Sequence, residues 1–414
     1  MKYLITLLLV FLFPIRFLIA TLPHYDMAWV SSSLLYIEVV LLIMCLVYAS
    51  IHAREIRFNG LSKALLFLYI LYFIAIFYQV MVSPQISRGI MMDVPEANFV
   101  FYRDFIIQSL SLLLALTFRK HIDFKLYAKI TVVLTFLTFF AYFNKVDFRI
   151  YGILDLADKQ TSQDAEIITS FTVAAYMVYA FFCNYIVRGE WLKWKPLNIL
   201  LFYIFSAVFV IGLILTIKRG PILSFFTVCG IFFLIKFRNK KSMFVSFVSL
   251  ITVVGVFGIF ILSDYISDFV NTYASGLIER FSAIESTGGA GRFGSDDSVF
   301  SISIMQIKEA PVFGSYFRLL KGIEPGAYPH NIILELLMTG GLLISIPFFI
   351  LLWKVLRIDI RLIKQGGEQT LPALCFLYVL LSLMTSSSLL FKTEFWVFLG
   401  ILCSYSLKSI KIRK

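Results

Sequence analysis

The sequence contains few charged residues. Of its 414 residues, 15% are charged and 60% are hydrophobic, whereas soluble globular domains carry about 25% charged residues. This shortage of charge excludes an ordinary soluble domain and predicts an all-α integral membrane protein. At ~20 residues per span, the apolar residues suffice for about twelve transmembrane helices.

Signatures of metal and disulfide chemistry are also lacking. The five cysteines lie in apolar stretches and form no CxxC pair, so they are interpreted as small core residues. There are four histidines and no HExxH motif, so we expect neither a metal nor another cofactor. The net charge of +12 does not predict nucleic-acid binding, because Lys and Arg mark the cytoplasmic loops of membrane proteins.

Long apolar runs predict one polytopic domain that covers residues 1–414. The first run is interpreted as a span, because no small-residue cleavage site follows it. The predicted spans are 3–21, 30–51, 64–82, 104–118, 129–143, 167–187, 197–217, 221–237, 243–263, 332–353, 371–388 and 394–408.

The basic residues predict the orientation. More than half of the 37 Lys and Arg residues fall on one side of the twelve-span arrangement. This side is expected to be cytoplasmic, with both termini inside. The loops concerned are 54–63, 119–129, 188–195, 236–241, 354–364 and the tail 408–414.

Three outer segments are long, namely 83–103, 144–166 and 264–331. The last is predicted to be a large periplasmic loop. Within it, residues 265–284 have the pattern of an amphipathic helix at the membrane surface. Residues 298–309 are predicted to form a second short helix that ends before Pro311.

Several arginines lie on the outer side, against the positive-inside trend. Arginine stays charged and binds phosphate through two parallel hydrogen bonds, so these residues indicate an anionic ligand. The alternative interpretation is that they are solvated loop residues. They are Arg149, Arg219, Arg280, Arg292 and Arg318.

The segment Lys218-Arg219-Gly220-Pro221 is predicted to form a tight turn between two spans. Gly220 permits the turn and Pro221 would start the next helix. A short hairpin of this kind needs no charge, which favours a ligand role for Arg219. For Lys218, a ligand role and an interfacial role are equally supported. The alternative is that both side chains extend to the membrane interface.

The segment Tyr328-Pro329-His330-Asn331 leads into a predicted span. His330 is the only histidine of the large outer loop, at a position where a proton acceptor could meet a lipid-linked substrate and water. Asn331 could orient His330 or bind a sugar hydroxyl, and Tyr328 is counted with the substrate-binding residues. The alternative is an interfacial histidine with no task.

Taken in order, these motifs resemble one family. A tight Arg-Gly turn is followed by a large outer loop with Pro311-x-x-Gly314, and then by His-Asn entering a span that contains Gly340 and Gly341. This layout, over residues of about 130 to 355, resembles the O-antigen polymerase and O-antigen ligase superfamily of Wzy-like bacterial membrane glycosyltransferases.

The resemblance implies a metal-independent glycosyltransferase that uses a glycan linked to undecaprenyl pyrophosphate. His330 corresponds to the loop histidine that activates the acceptor hydroxyl. Arg219, with Arg280 or Arg292, corresponds to arginines that hold the pyrophosphate, and Arg149 corresponds to a more variable arginine.

Three functions follow as hypotheses. The first is an O-antigen polymerase, which would transfer the growing glycan to an undecaprenyl-linked repeat unit. The second is the ligase that transfers glycan to the lipid A core, although Gly340 and Gly341 are adjacent where ligases have spaced glycines. The third is a transporter or flippase of lipid-linked sugars. Expected partners are the lipid-linked oligosaccharide, the bilayer and a chain-length regulator.

Overall fold

The fold is helical throughout the part of the chain that the structure describes. The computed structural model describes residues 2–12, 14–21, 28–51, 58–82, 94–145, 170–215, 219–237, 299–314, 329, 331–385, 388–389 and 392–405. These residues form thirteen α-helices and no β-strand, which confirms the all-α class.

The helices follow the predicted spans in order. They are α1 (Lys2–Leu12), α2 (Pro14–Thr21), α3 (Ala28–Ile51), α4 (Gly60–Val82), α5 (Val94–Phe118), α6 (Phe124–Lys145), α7 (Ser170–Val187), α8 (Lys195–Leu215), α9 (Arg219–Phe237), α10 (Val299–Glu309), α11 (Ile332–Gln365), α12 (Thr370–Thr385) and α13 (Thr393–Cys403). The predicted span 243–263 lies outside the described residues.

The helices depart most from the prediction in three places. The first predicted span is two helices, because Pro14 cannot donate the hydrogen bond that would continue α1. Helix α5 starts at Val94, so part of the segment 83–103 is helical, with Pro95 in the first turn, where proline is tolerated. Helix α11 continues to Gln365, twelve residues beyond the predicted end.

Four described helices are long and apolar enough to cross a membrane. Their qualifying segments are Gly60–Tyr78, Phe124–Ala141, Lys195–Ile214 and Ile332–Gln365, and five shorter apolar helices accompany them. Large apolar side chains such as Phe67 and Ile74 are exposed on the outside of the bundle. These features support a membrane protein, while the count of about twelve spans stays a prediction.

Aromatic side chains fill the centre of the bundle. Helices α12 and α13 are almost entirely buried, and α7 is buried from Val173 to Ala180. The rings of Tyr179 and Tyr378 meet edge to face at 5.6 Å, and Trp396 meets Tyr69 at 4.7 Å. Contacts of this kind add to the burial of the rings and fix how the helices pack.

The described residues of the loops predicted to be cytoplasmic lie together at one end of the bundle. Lys125 forms an ion pair with Glu190 at 2.7 Å, and the Asn59 amide donates to the Cys403 carbonyl at 2.8 Å. The Arg119 guanidinium lies 3.8 Å from the centre of the Tyr405 ring. Burial lowers the pKa of Arg119, and the neighbouring Tyr405 opposes that shift. We call this group of loops the basic end.

One close helix contact gives a test of the packing. A Cβ atom at Gly400 of α13 would lie 2.9 Å from Leu112 Cδ1 and 3.1 Å from Ala115 Cβ of α5, whereas Gly230 of α9 has open space around it. We predict that Gly400→Val lowers the free energy of unfolding by about 1–3 kcal/mol through overpacking. Gly230→Val is the matched control and should leave it within about 0.5 kcal/mol. Thermal unfolding of the purified protein in detergent measures both, and equal effects would contradict the packing.

Candidate functional site

Two of the eight predicted site residues belong to the described part of the chain. Arg219 is the first residue of α9, and Asn331 immediately precedes α11. Helix α8 ends at Leu215 and α9 begins at Arg219, so Arg219 and Gly220 belong to the helix rather than to the predicted turn, and residues 216–218 lie outside the described residues. The other six lie outside the described residues: Arg149, Lys218, Arg280, Arg292, Tyr328 and His330.

Asn331 caps the start of α11. Its backbone is extended, and its side-chain oxygen accepts hydrogen bonds from the backbone N–H groups of Ile333 at 2.9 Å and Leu334 at 3.3 Å. Its amide nitrogen donates to the carbonyl of Met384, near the end of α12, at 3.3 Å. The side chain therefore has a structural task, because it satisfies N–H groups that a helix start leaves unpaired. Its role in binding substrate stays a prediction.

Glu335, one turn later, is a buried carboxylate with two donors. One oxygen accepts a 2.5 Å hydrogen bond from the Ser388 hydroxyl, and the other accepts a 2.9 Å hydrogen bond from the Leu389 backbone N–H. The Leu389 carbonyl accepts from the Trp396 indole at 3.3 Å. Glu335 thus ties the start of α11 to the connection between α12 and α13. In the sequence, Glu335 is visible only as an acid inside an apolar run, which does not indicate a role for it.

These contacts fix the two residues that flank His330 in the sequence. Pro329 is buried, and Asn331 is held by hydrogen bonds on both its oxygen and its nitrogen. His330 itself lies outside the described residues. The start of a helix carries a partial positive charge that favours anions nearby. We call this region, where α11 and α13 begin and α12 ends, the Asn331 end.

Helix α11 is interrupted at Gly341, which has φ +56° and ψ −163°. Beyond the interruption, the backbone N–H of Leu342 donates to the Pro311 carbonyl at 2.8 Å, and that of Leu343 donates to the Val312 carbonyl at 3.1 Å. The turn after α10 therefore supplies hydrogen bonds to the broken helix. Residues 311–314 and Gly341 together are called the glycine junction.

Only glycine fits at the two closest points of this junction. A Cβ atom at Gly314, which has φ +74°, would lie 2.6 Å from the Met338 carbonyl oxygen. A Cβ atom at Gly341 would lie 2.6 Å from the Gly314 nitrogen and would overlap the Val312 carbonyl. The Pro-x-x-Gly motif and the glycine pair of the predicted span, about 30 residues apart in the sequence, are thus in direct contact. Helix α10 confirms the short helix predicted at 298–309, whereas the surface helix at 265–284 lies outside the described residues.

An apolar groove of about 450 Å³ runs between α4 and α5. The one hydroxyl pair on its wall is satisfied internally, because Tyr69 and Ser109 hydrogen bond to each other at 2.9 Å. The groove therefore offers hydrocarbon and aromatic surface. Its remaining lining residues are Leu66, Ile70, Phe73, Ile74, Phe77, Phe105, Leu112 and Leu113.

Within the described ranges, no cluster of three or more His, Cys, Asp or Glu side chains could hold a metal ion. All five cysteines are buried, as predicted for small core residues. Comparison of the chain with models of protein families, with curated proteins and with solved structures gave no match.

The glycine junction can be tested with a pair of substitutions. Gly341 and Gly367 both have a positive φ, but only Gly341 is also in close contact with other backbone atoms. We predict that Gly341→Ala destabilises the protein by about 1–3 kcal/mol more than Gly367→Ala, because the backbone conformation costs each of them about 1–2 kcal/mol and the collision is additional. Thermal unfolding in detergent compares the two variants. Equal losses of stability would contradict the close backbone contact at Gly341.

Proposed function

We propose that the chain is a bacterial polysaccharide polymerase of the O-antigen polymerase type. It would transfer a growing glycan from undecaprenyl pyrophosphate to an undecaprenyl-linked repeat unit. The observation that carries this proposal is the meeting of motifs along the first twelve residues of α11. The Pro-x-x-Gly turn contacts the helix at its interruption, while Asn331 and Glu335 fix the start of the same helix, which directly follows His330 in the sequence.

The orientation follows from charge. Helix α11 runs from Asn331 towards Gly366, beside which lies the Lys236 ammonium. Beyond the interruption at Gly341, residues 342–365 of the helix extend for about 35 Å at a rise of 1.5 Å per residue, which is long enough to cross the hydrocarbon core. The basic end would be cytoplasmic, with both termini, and the Asn331 end would face the periplasm across the inner membrane.

The proposed reaction exchanges one glycosidic bond. A hydroxyl of the acceptor repeat unit attacks the anomeric carbon of the donor, and its oxygen forms the new bond to carbon. The bond from that carbon to the lipid pyrophosphate breaks, and undecaprenyl pyrophosphate leaves with the electron pair. His330 takes the proton of the attacking hydroxyl, a task suited to a group that titrates near neutral pH.

The leaving group develops negative charge, which cationic side chains would stabilise. Arg219, Arg280 and Arg292 are proposed to bind the pyrophosphate, with Arg149 and Lys218 near the glycan. The start of α11 adds a partial positive charge close to residue 330. No metal is required in this scheme, because arginine and helix dipoles supply the charge.

The substrate also has a long hydrocarbon chain. The groove between α4 and α5 supports a lipid-linked substrate, because its wall is apolar and its one hydroxyl pair is already hydrogen bonded. Its lining on α4 runs from Leu66 to Phe77, which is about 17 Å along the helix. A segment of a polyprenyl chain of that length would fit along it.

A flippase or transporter is the second candidate, and one observation favours it. Asp359 is fully buried in α11, and transporters place ionisable residues inside membrane helices. The ligase differs from the polymerase only in its acceptor. In a deletion strain, loss of a polymerase leaves core with one repeat unit, loss of a ligase leaves bare core, and loss of a flippase traps repeat units on the cytoplasmic side.

The catalytic assignment makes a direct prediction for such a strain. His330→Ala and Arg219→Ala should each abolish long glycan chains, because loss of a general base costs about 10²–10⁴-fold in rate and loss of Arg219 removes a phosphate ligand. Gel electrophoresis of the lipopolysaccharide shows the chain lengths, and immunoblotting shows that each variant reaches the membrane.

The control substitutions also replace a histidine and an arginine, but at the basic end of the bundle. His121→Ala and Arg188→Ala change residues of the basic end and should leave the banding unchanged. Wild-type chain lengths in the His330 and Arg219 variants would overturn the assignment. Arg219→Lys should remain defective, since a lysine lacks the paired donors of a guanidinium.

The orientation has its own prediction. All five native cysteines are buried, so a new surface cysteine can be labelled against a low background. Phe313→Cys at the glycine junction should react with a membrane-impermeant maleimide from the periplasmic side. Lys193→Cys at the basic end should react only after the inner membrane is opened. The reverse pattern would place the Asn331 end in the cytoplasm.

A further inference from the structure

Asp359 is the most unusual buried group in the described part of the chain. Its side chain has 0% exposure and lies six residues before the end of α11. Neither carboxylate oxygen has a hydrogen-bond partner among the described residues. Glu335, on the same helix, has donors for both of its carboxylate oxygens. A structural acid in this bundle is therefore paired, and Asp359 differs from it.

An ionised carboxylate without donors is not stable in an apolar interior, because burial removes its hydration and nothing replaces it. A neutral carboxyl carries no such penalty from a full charge. No charged side chain of the described residues acts on the Asp359 carboxyl. The arrangement is thus suited to the protonated form, and it disfavours the charged one.

The ionisable side chains described near Asp359 are two thiols and a phenol. Cys375 of α12 lies within electrostatic range of Asp359 and also of Cys183 of α7. Tyr127 of α6 interacts with both cysteines. From α9, the Lys236 ammonium lies beside Gly366, seven residues after Asp359. The basic residues of α11 itself are Lys354, Arg357, Arg361 and Lys364, none of which is buried.

These neighbours fit a proton better than a metal ion. A thiol is a soft ligand and a carboxylate is a hard one, so the pair does not match one preferred ion. The search of the described residues found no group of three candidate ligands around Asp359. A proton needs only the carboxyl itself and access to water.

We propose that Asp359 is a proton-binding site inside the bundle, loaded from the basic end. The carboxyl lies about 9 Å along α11 from the last residue of the helix, where the basic end begins. Release of the proton would leave a charge that the buried site cannot hold, so the packing of α11 against α12 must then change. The site lies at the opposite end of α11 from Asn331 and takes no part in the proposed glycosyl transfer.

Infrared difference spectroscopy of the purified full chain tests this site. At about pH 7, where an ordinary aspartate is ionised, the wild-type spectrum minus that of Asp359→Asn should contain a carboxylic-acid carbonyl band. The band should shift when the aspartates are labelled with ¹³C at the side-chain carboxyl. Asp123→Asn is the matched control, since the Asp123 carboxylate accepts from a backbone N–H at the basic end. Its difference spectrum should contain only carboxylate bands.

Chemical modification locates the proton without a substitution. Dicyclohexylcarbodiimide reacts with protonated carboxyl groups in apolar surroundings, and mass spectrometry of the wild-type digest should find the adduct at Asp359 and none at Asp123. If the Asp359→Asn difference spectrum instead shows a lost carboxylate band, the residue is ionised and paired with a cation, and the proposal fails. This result would leave the assignment of His330 and Arg219 unchanged, because their test is the glycan chain length.

Discussion

A helix inside a membrane can be interrupted only where other groups replace its lost hydrogen bonds. At Gly341 the replacement comes from the turn after α10, whose carbonyls at Pro311 and Val312 accept from Leu342 and Leu343. The interruption and the turn therefore require each other. Because both close contacts involve glycine backbone, the junction tolerates no side chain at Gly314 or Gly341. The position of α10 relative to α11 depends on this exchange of backbone hydrogen bonds.

The same helix links the two ends of the molecule. Its start is fixed by Asn331 and Glu335, each of which reaches residues more than 50 positions later in the chain. Its far end lies among the basic loops, beside Lys236. An element with one end at the proposed reaction site and the other at the basic end would hold substrate groups in a fixed place. This arrangement suits catalysis by positioning, in which the reacting atoms are held close and aligned.

Hydropathy predicted most of the described helices because lipid-facing and core-facing residues are both apolar in a membrane bundle. The prediction failed at the end of α11, where charge was taken as the sign of a loop. Lys354, Arg357, Arg361 and Lys364 recur every three or four residues, so they share one side of the helix, while Val355, Ile358 and Leu362 are buried on the other. The spacing of these residues in the sequence already indicated a helix, but the predicted end of the span followed the number of charges instead.

The sequence contains no comparable pattern that would predict the long-range contacts. Nothing in the spacing of Pro311 and Gly341 indicates that their backbones meet, since such pairing depends on how α10 and α11 pack. Glu335 was visible as an acid in an apolar run, but its partners Ser388 and Leu389 are known only from the fold. The arginines and His330 stay predictions from sequence, because their side chains lie outside the described part of the structure.

Two acids buried in one helix require different physical explanations. Glu335 is stabilised as a hydrogen-bond acceptor, with one oxygen on the Ser388 hydroxyl and the other on the Leu389 backbone N–H. Asp359 lacks such donors among the described residues and has a thiol as its ionisable neighbour. If an acid at that position served packing alone, an apolar residue of similar size would serve better, because burying an unpaired polar group costs free energy. The acid at position 359 is therefore better explained by the proton it can hold than by the packing it provides.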